Sequence, residues 1–253
     1  MIEVDVVDGV GVVRLAHGRV NALDVELCRA IERTMRELDD PEGPVRAVVL
    51  TGTGRVFSAG VDLKRVVAGG APYVAEFLPA LGGAFRSVFD LGKPVVAAVN
   101  GHAIAGGCVL AAACDRRIMA LGTGRIGVPE LRVGVPFPAP ALEIMRFALG
   151  PVRARQVIFD GANHEPDAAL ALGLVDELID PDALVDEAVA VAGRTATDIP
   201  ADTFRHTKAQ LRQEVNERLD RVTEPGTVEL WTRAATDGRI QAFLDRTVGS
   251  RGQ

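Results

Sequence analysis

One carboxylate and two glycine-bearing loops are the parts of this sequence best suited to chemistry. Glu130 lies in the segment IGVPELRVGVPF, where most of its neighbours are apolar. If this carboxyl group is buried, desolvation raises its pKa towards neutrality, which suits a base that removes a proton. The alternative is a surface carboxylate paired with Arg125 or Arg132. Burial of Glu130 therefore separates the two interpretations.

Each of the two loops leads into a predicted helix. The first loop, 57–63 (FSAGVDL), ends where Asp62 can cap a helix, and the second, 100–108 (NGHAIAGGC), ends at a helix beginning near Gly106. The first N–H groups of a helix have no acceptor within it, so two converging helix starts can stabilise an oxyanion. Gly106 and Gly107 could let a substrate approach the backbone, although tight helix packing needs the same residues.

The elements that must position these residues follow from the apolar pattern. A helix capped by Asp24 is predicted from the apolar spacing that follows it. Strands are predicted as a hairpin over 2–16 that turns at Asp8-Gly9, and singly over 46–51, 93–99 and 115–121. The remaining segment, 52–60, is predicted to be a loop. Alternating strands and helices with nearly continuous apolar strands indicate an α/β domain with covered sheets.

The chain after about Pro200 is predicted to be helical only. Residues at spacings of three and four predict one face of a long amphipathic helix: Phe204, Lys208, Leu211, Val215, Leu219 and Val222. A second helical run contains Trp231, Phe243 and Leu244. We therefore divide the chain into a core over 1–196 and a helical region over 197–253. These helices either pack on a partner subunit or fold back on the same core.

Composition and the absence of other motifs exclude several classes of function. A net charge of −6 provides no basic surface for nucleic acid. Three cysteines match no disulfide framework and no zinc site, which predicts a reduced, cytoplasmic protein without a metal. The N-terminus has no signal-peptide pattern, and the uncharged stretch 94–114 is interrupted by Asn, His and Gly, so we expect no membrane span. The GxGxxG at 122–127 precedes Val128-Pro129, which disfavours a dinucleotide-binding helix.

The motifs together resemble the crotonase superfamily, the enoyl-CoA hydratase/isomerase family. The resemblance rests on Asn21-Ala22-Leu23, on 57–63, on 93–107 (KPVVAAVNGHAIAGG), on 114–118 (CDRRI) and on 169–179, in the family's order and spacing. Ala105 stands where the family pattern has its first glycine. The resemblance implies an α/β fold with a crotonase-like (ClpP/crotonase) spiral core and a C-terminal helical oligomerisation region. It also implies a homotrimer or hexamer.

The same resemblance implies an acyl-CoA substrate and a role for each motif. The backbone N–H groups of Val61 and Gly106 would bind the thioester oxygen, and Glu130 would be the catalytic residue. Coenzyme A would enter as part of the substrate, and no separate cofactor is expected. The expected substrate-binding residues are Arg19, Ala59, Lys64, Arg65, Val109 and Phe137.

One departure from the family pattern decides the expected reaction. The family's hydratases carry two glutamates, and the positions that match them here hold Val109 and Glu130. Hydration needs both acids, whereas moving a double bond from C3 to C2 needs a single base. The resemblance therefore implies a 3-enoyl-CoA to 2-enoyl-CoA isomerase of fatty-acid metabolism. Enoyl-CoA hydratase and a non-catalytic acyl-CoA-binding protein are the alternatives.

Overall fold

The computed structural model describes residues 1–249. Its strands are β1 (Ile2–Val7), β2 (Val10–Leu15), β3 (Ala47–Gly52), β4 (Val56–Ser58), β5 (Val95–Val99), β6 (His102–Ile104), β7 (Arg116–Ala120), β8 (Ile126–Gly127), β9 (Asn163–His164) and β10 (Glu177–Ile179). Its helices are α1 (Val25–Leu38), α2 (Leu63–Phe89), α3 (Gly106–Ala113), α4 (Glu130–Val133), α5 (Ala139–Asp160), α6 (Pro166–Leu172), α7 (Leu184–Asp198), α8 (Ala201–Arg221), α9 (Pro225–Thr236) and α10 (Arg239–Gly249).

The larger sheet has six strands in the order β1-β2-β3-β5-β7-β10. Only the β1–β2 pair is antiparallel, and it is the predicted hairpin, with Asp8 and Gly9 at φ of 51° and 80° in its turn. The remaining pairs of this sheet are parallel. Apolar side chains of α7, including Leu184, Ala188 and Val191, pack on one face of the sheet. The expected α/β architecture with a covered sheet is therefore confirmed.

A second sheet of four short strands, in the order β4-β6-β8-β9, brings the two glycine-bearing loops together. The predicted loop over 52–60 contains β4, which pairs in parallel with β6. Residues 57–63 consequently run beside 102–106, and β8 lies on the other side of β6. Three residues are too few for a periodic pattern, so β4 could not be predicted from the sequence.

The helix starts predicted around these loops are confirmed. Asp24 caps α1 by accepting from the N–H of Leu27 at 2.8 Å. Asp62 caps α2 by accepting from the N–H groups of Lys64 and Arg65. The third helix, α3, begins at Gly106 as expected.

The predicted apolar face of α8 is wrong in one part. Leu211 is 67% exposed and Val222 is 48% exposed, whereas Arg212 is only 4% exposed. Arg212 is buried because its Nη2 donates to Asp115 Oδ1 at 2.7 Å and its guanidinium stacks 4.0 Å from the Phe89 ring centre. Lys208 Nζ donates to Asp115 Oδ2 at 2.7 Å. The predicted face is right at Val215 and Leu219, which are buried, so these apolar contacts and the Asp115 charge cluster together hold α8 on the core.

The last two described helices, α9 and α10, fold back on their own chain. Trp231 of α9 is 1% exposed, and its indole N–H donates to the carbonyl oxygen of Pro136 at 2.9 Å. The division predicted at 196/197 falls within α7, and residues 250–253 lie outside the described residues. Across 1–249, no helix combines the length and the apolar character needed to cross a membrane.

Candidate active site

A cavity of about 570 Å³ lies where the four-stranded sheet meets α9 and α10. Ala59 and Val61 form part of its wall, Glu130 another part, and Trp231 and Phe243 of the C-terminal helices a third. Among the described residues that line it, Glu130 carries the only carboxylate. The cavity thus collects residues from both loops, from the predicted base and from the helical region.

The N–H group of Val61 is left without an acceptor while its neighbours are paired. The Gly60 N–H donates to Ser58 Oγ at 3.1 Å, and the Asp62 N–H donates to the carbonyl oxygen of Leu23 at 2.9 Å. Within residues 1–249, the Val61 N–H has no backbone or side-chain acceptor. Val61 is partly buried on the cavity wall, so its unpaired N–H is suited to bind a ligand there.

The second unpaired donor is the N–H of Gly106, the first residue of α3. The preceding N–H, of Ala105, donates to the carbonyl oxygen of Gly127 at 2.7 Å, whereas Gly106 has no acceptor in the described chain. A Cβ placed on Gly60 would lie 2.5 Å from the Ile104 carbonyl oxygen and 3.2 Å from the Gly106 nitrogen. The two loops therefore meet closely beside the cavity, as two donors for one oxyanion require.

The glycine at position 107 is explained by packing. A Cβ there would lie 2.4 Å from the carbonyl oxygen of Ser58, which no side chain tolerates. Gly107 thus lets α3 lie directly against β4. Tight packing is therefore enough to explain why this residue is glycine.

Glu130 is buried, which decides between the two interpretations that the sequence left open. It opens α4 directly after Pro129, is 7% exposed, and its Oε2 atom has no hydrogen-bond partner in the described chain. Desolvation raises the pKa of this carboxyl group to about 8 because the charged form loses its hydration. Once ionised, such a carboxylate is a stronger base than a solvated one, and its Oε2 atom has no competing partner in the described chain.

The two arginines that could have neutralised Glu130 are paired elsewhere. Arg125 donates to Glu165 Oε1 at 2.8 Å, and Arg132 donates to the carbonyl oxygen of Asp160 through Nε and Nη2. The interpretation of Glu130 as a surface ion pair is therefore wrong.

Five of the six expected substrate-binding residues are absent from the described cavity wall, and Val109 and Phe137 are two of them. Val109 is fully buried within α3, all of whose residues are buried, and Phe137 is 9% exposed and packed in the core. Ala59 does line the cavity. Contact of Val109 and Phe137 with a substrate stays a prediction, and the structure gives both a packing role.

The three predicted cations differ in their surroundings. Arg19 and Lys64 are exposed and form no ion pair with any described residue. Arg65 donates to Asp24 Oδ2 at 2.9 Å, is paired with Glu26, and lies 5.3 Å from the Tyr73 ring centre. Its charge is consequently already balanced, so Arg65 is a poorer ligand for a phosphate than the other two.

Several lining residues were not singled out from the sequence as site residues. His102 and Asn163 come from β6 and β9, and Trp231 and Phe243 come from α9 and α10. The aromatic pair was recognised only as part of a helical run. No local sequence pattern shows which distant cavity such a helix will cover. The contact of Trp231 and Phe243 with the cavity could therefore be found only from the folded structure.

Comparisons with known proteins agree with this geometry. A family model described as enoyl-CoA hydratase/isomerase matches residues 5–237. A putative enoyl-CoA hydratase of Thermus thermophilus is 37% identical over 196 residues, which cover 76% of each chain. A short-chain-enoyl-CoA hydratase of Clostridium acetobutylicum is 32% identical over 72% of this chain and 69% of its own. The crystal structure of human mitochondrial delta3-delta2-enoyl-CoA isomerase superimposes with a TM-score of 0.90, at 25% identity and 99% coverage of both chains.

Proposed function

This chain belongs to the enoyl-CoA hydratase/isomerase family and has its crotonase fold, and from that premise we propose that it is a 3-enoyl-CoA to 2-enoyl-CoA isomerase of fatty-acid metabolism. The observation that carries the proposal is the single carboxylate, Glu130, on the described wall of the cavity. Coenzyme A arrives as part of the substrate, and no further cofactor is proposed.

The proposed reaction uses two donors and one base. The N–H groups of Val61 and Gly106 donate to the thioester oxygen, where negative charge develops. Glu130 removes a proton from C2, and the electron pair left behind delocalises into a dienolate. Glu130 then returns the proton at C4, so the double bond moves from C3 to C2 without any net change in atoms. Each step needs only one group that gains and loses a proton.

Hydration is the second candidate because the curated relatives from Thermus and Clostridium are named hydratases. It requires one group to activate water and another to deliver a proton to C2. Val109, at the position of the family's other glutamate, can do neither. A non-catalytic acyl-CoA-binding protein is the remaining alternative, and it gives no reason for a buried, unpaired Glu130. Binding of acyl-CoA without exchange of C2 protons would support it.

The first prediction separates isomerase from hydratase. The wild-type protein is expected to convert a 3-enoyl-CoA and to hydrate a 2-enoyl-CoA poorly, whereas Val109→Glu should raise hydration above the wild-type level. Burying the new carboxylate costs stability, so the folded fraction is measured in parallel. Val109→Gln is the matched control, because it has a similar shape and no acid. Rapid hydration by the wild-type protein would favour the hydratase.

The second prediction concerns the coenzyme A phosphates, which we propose are met by Arg19 and Lys64. Reversing both charges with Arg19→Glu and Lys64→Glu should raise KM for acyl-CoA more than it lowers kcat, because these contacts exist in both ground and transition states. Arg33→Glu, at an exposed position on α1, serves as the control. A KM that is unaffected by both the double reversal and added salt would place the phosphates elsewhere.

The third prediction concerns assembly, which we propose is a homotrimer or a hexamer. Exposed apolar side chains on α5 and α8 support it, since Val152, Phe159 and Leu211 are 66%, 74% and 67% exposed. Sedimentation at micromolar concentration should give the mass of three or six chains, and a monomer would contradict the proposal.

A cytoplasmic location is also proposed, supported by the free thiols of Cys28, Cys108 and Cys114.

A further inference from the structure

Asn21, the first residue of the Asn21-Ala22-Leu23 motif, is fully buried. Both polar atoms of its side chain form hydrogen bonds. Its Nδ2 donates to the carbonyl oxygens of Val56 and Phe57, each at 3.1 Å, and its Oδ1 accepts from the N–H of His17 at 2.8 Å. Its φ of 49° lies in the left-handed region, which asparagine tolerates better than most residues. The side chain thus joins the 17–21 turn to β4.

Ser58 continues this connection towards the cavity. Its hydroxyl is fully buried, donates to the carbonyl oxygen of Asn21 at 2.7 Å and accepts from the N–H of Gly60 at 3.1 Å. Leu23 holds the other side of the same loop, because its N–H donates to the carbonyl oxygen of Gly60 at 2.8 Å. The backbone on both sides of Val61 is therefore fixed by the segment 21–23.

Three of the four backbone N–H groups over 59–62 have acceptors within the chain. The N–H of Ala59 donates to the carbonyl oxygen of Val20 at 2.9 Å, that of Gly60 to Ser58, and that of Asp62 to Leu23. Val61 alone among residues 59–62 keeps its N–H free for the cavity. A donor that stabilises a transition state has to be held within a fraction of an ångström, because a displacement of about 1 Å can lower the rate roughly 100-fold.

We propose that Asn21 and Ser58 are positioning residues that hold the Val61 N–H where it meets the thioester oxygen. Neither side chain lines the cavity, so both act through the backbone of the loop. This inference rests on the proposed role of Val61 in the isomerase.

A kinetic experiment tests the positioning role. Asn21→Gly keeps the left-handed backbone and removes all three side-chain hydrogen bonds, while Asn21→Asp keeps an acceptor for His17 and removes only the donors. Both variants, and Ser58→Ala, should lower kcat about 10- to 100-fold with KM within a few-fold of wild type. Asn216→Ala, which removes a hydrogen bond from α8 to Asp90 at the end of α2, should leave kcat unchanged. A stability loss with a normal kcat for the folded protein would overturn the proposal.

An infrared measurement separates this inference from the function on which it rests. A 2-enoyl-CoA with a ¹³C-labelled thioester carbonyl is bound to the Glu130→Gln variant, in which turnover is blocked. Hydrogen bonds from Val61 and Gly106 should lower the carbonyl stretching frequency relative to free ligand, and adding Asn21→Gly should reverse most of this shift.

The outcomes of that measurement are distinguishable. A shift that persists unchanged after Asn21→Gly overturns the positioning role alone. No shift with Glu130→Gln alone overturns the oxyanion role of Val61 and Gly106, and this inference with it. If the Asn21→Gly form does not fold, Ser58→Ala in the same Glu130→Gln background gives the same comparison, with the same two criteria.

Discussion

Glu130→Gln is expected to lower kcat for 3-enoyl-CoA by about 10²- to 10⁴-fold, the usual contribution of a general base. The amide keeps the shape of the side chain and removes the proton acceptor, while acyl-CoA binding and folding are expected to remain. Glu214→Gln on α8, where the side chain is 89% exposed, is the matched control. Near-normal turnover by the Glu130 variant would exclude this residue as the base.

The pH dependence of the wild-type enzyme follows from the same carboxyl group. Only the ionised form can remove a proton, and burial raises the pKa of Glu130 to about 8. We therefore expect kcat/KM to rise with pH and to reach half its plateau near pH 8, because kcat/KM reports the ionisation of the free enzyme. A profile already flat above pH 6 would mean that the base is an ordinary, solvated carboxylate.

Asp115→Asn is expected to cost about 1–3 kcal/mol of the free energy of unfolding, less than for a fully buried ion pair because the Asp115 side chain is itself 24% exposed. Asp115 accepts from both Lys208 and Arg212, whose side chains are 7% and 5% exposed. Burial lowers the pKa of Lys208 to about 8, and Asp115 opposes that change. Without Asp115, two cations on α8 lose their common anion.

Chemical denaturation at fixed protein concentration measures this loss, with Asp220→Asn as the control. Asp220 pairs with Arg86 at the surface and is 63% exposed, so its replacement should cost less than about 1 kcal/mol. An equal effect of the two substitutions would show that the Asp115 cluster contributes no more than a solvated pair. In that case, the apolar contacts of α8 alone would hold the helix on the core.

Features that depend on a few neighbouring residues could be predicted from the sequence. The turn at Asp8-Gly9, the cap at Asp24 and the helix start at Gly106 all depend on residues adjacent in the chain, and the structure confirms each of them. The sequence left Glu130 open between a buried base and a surface ion pair, and the structure shows that it is buried. Its catalytic role stays a prediction.

Features that depend on distant partners were missed. Arg212 is buried because Asp115 and Phe89 lie beneath α8, and neither is near it in sequence. Spacing alone therefore assigned that position to Leu211. The ion pairs of Arg65 with Asp24 and Glu26 were likewise not predicted, and its contact with a phosphate stays a prediction. A charged side chain pairs with an opposite charge that the fold brings near it. The order of residue types along the chain does not show which distant charge that will be.

The fold-back of α9 and α10 has a genetic consequence. Because Val61, Glu130, Trp231 and Phe243 of the cavity belong to one polypeptide, a substitution at any of them changes the cavity of the copy that carries it. In the proposed homotrimer or hexamer, we therefore expect that two alleles with different damaged residues among these four do not complement each other.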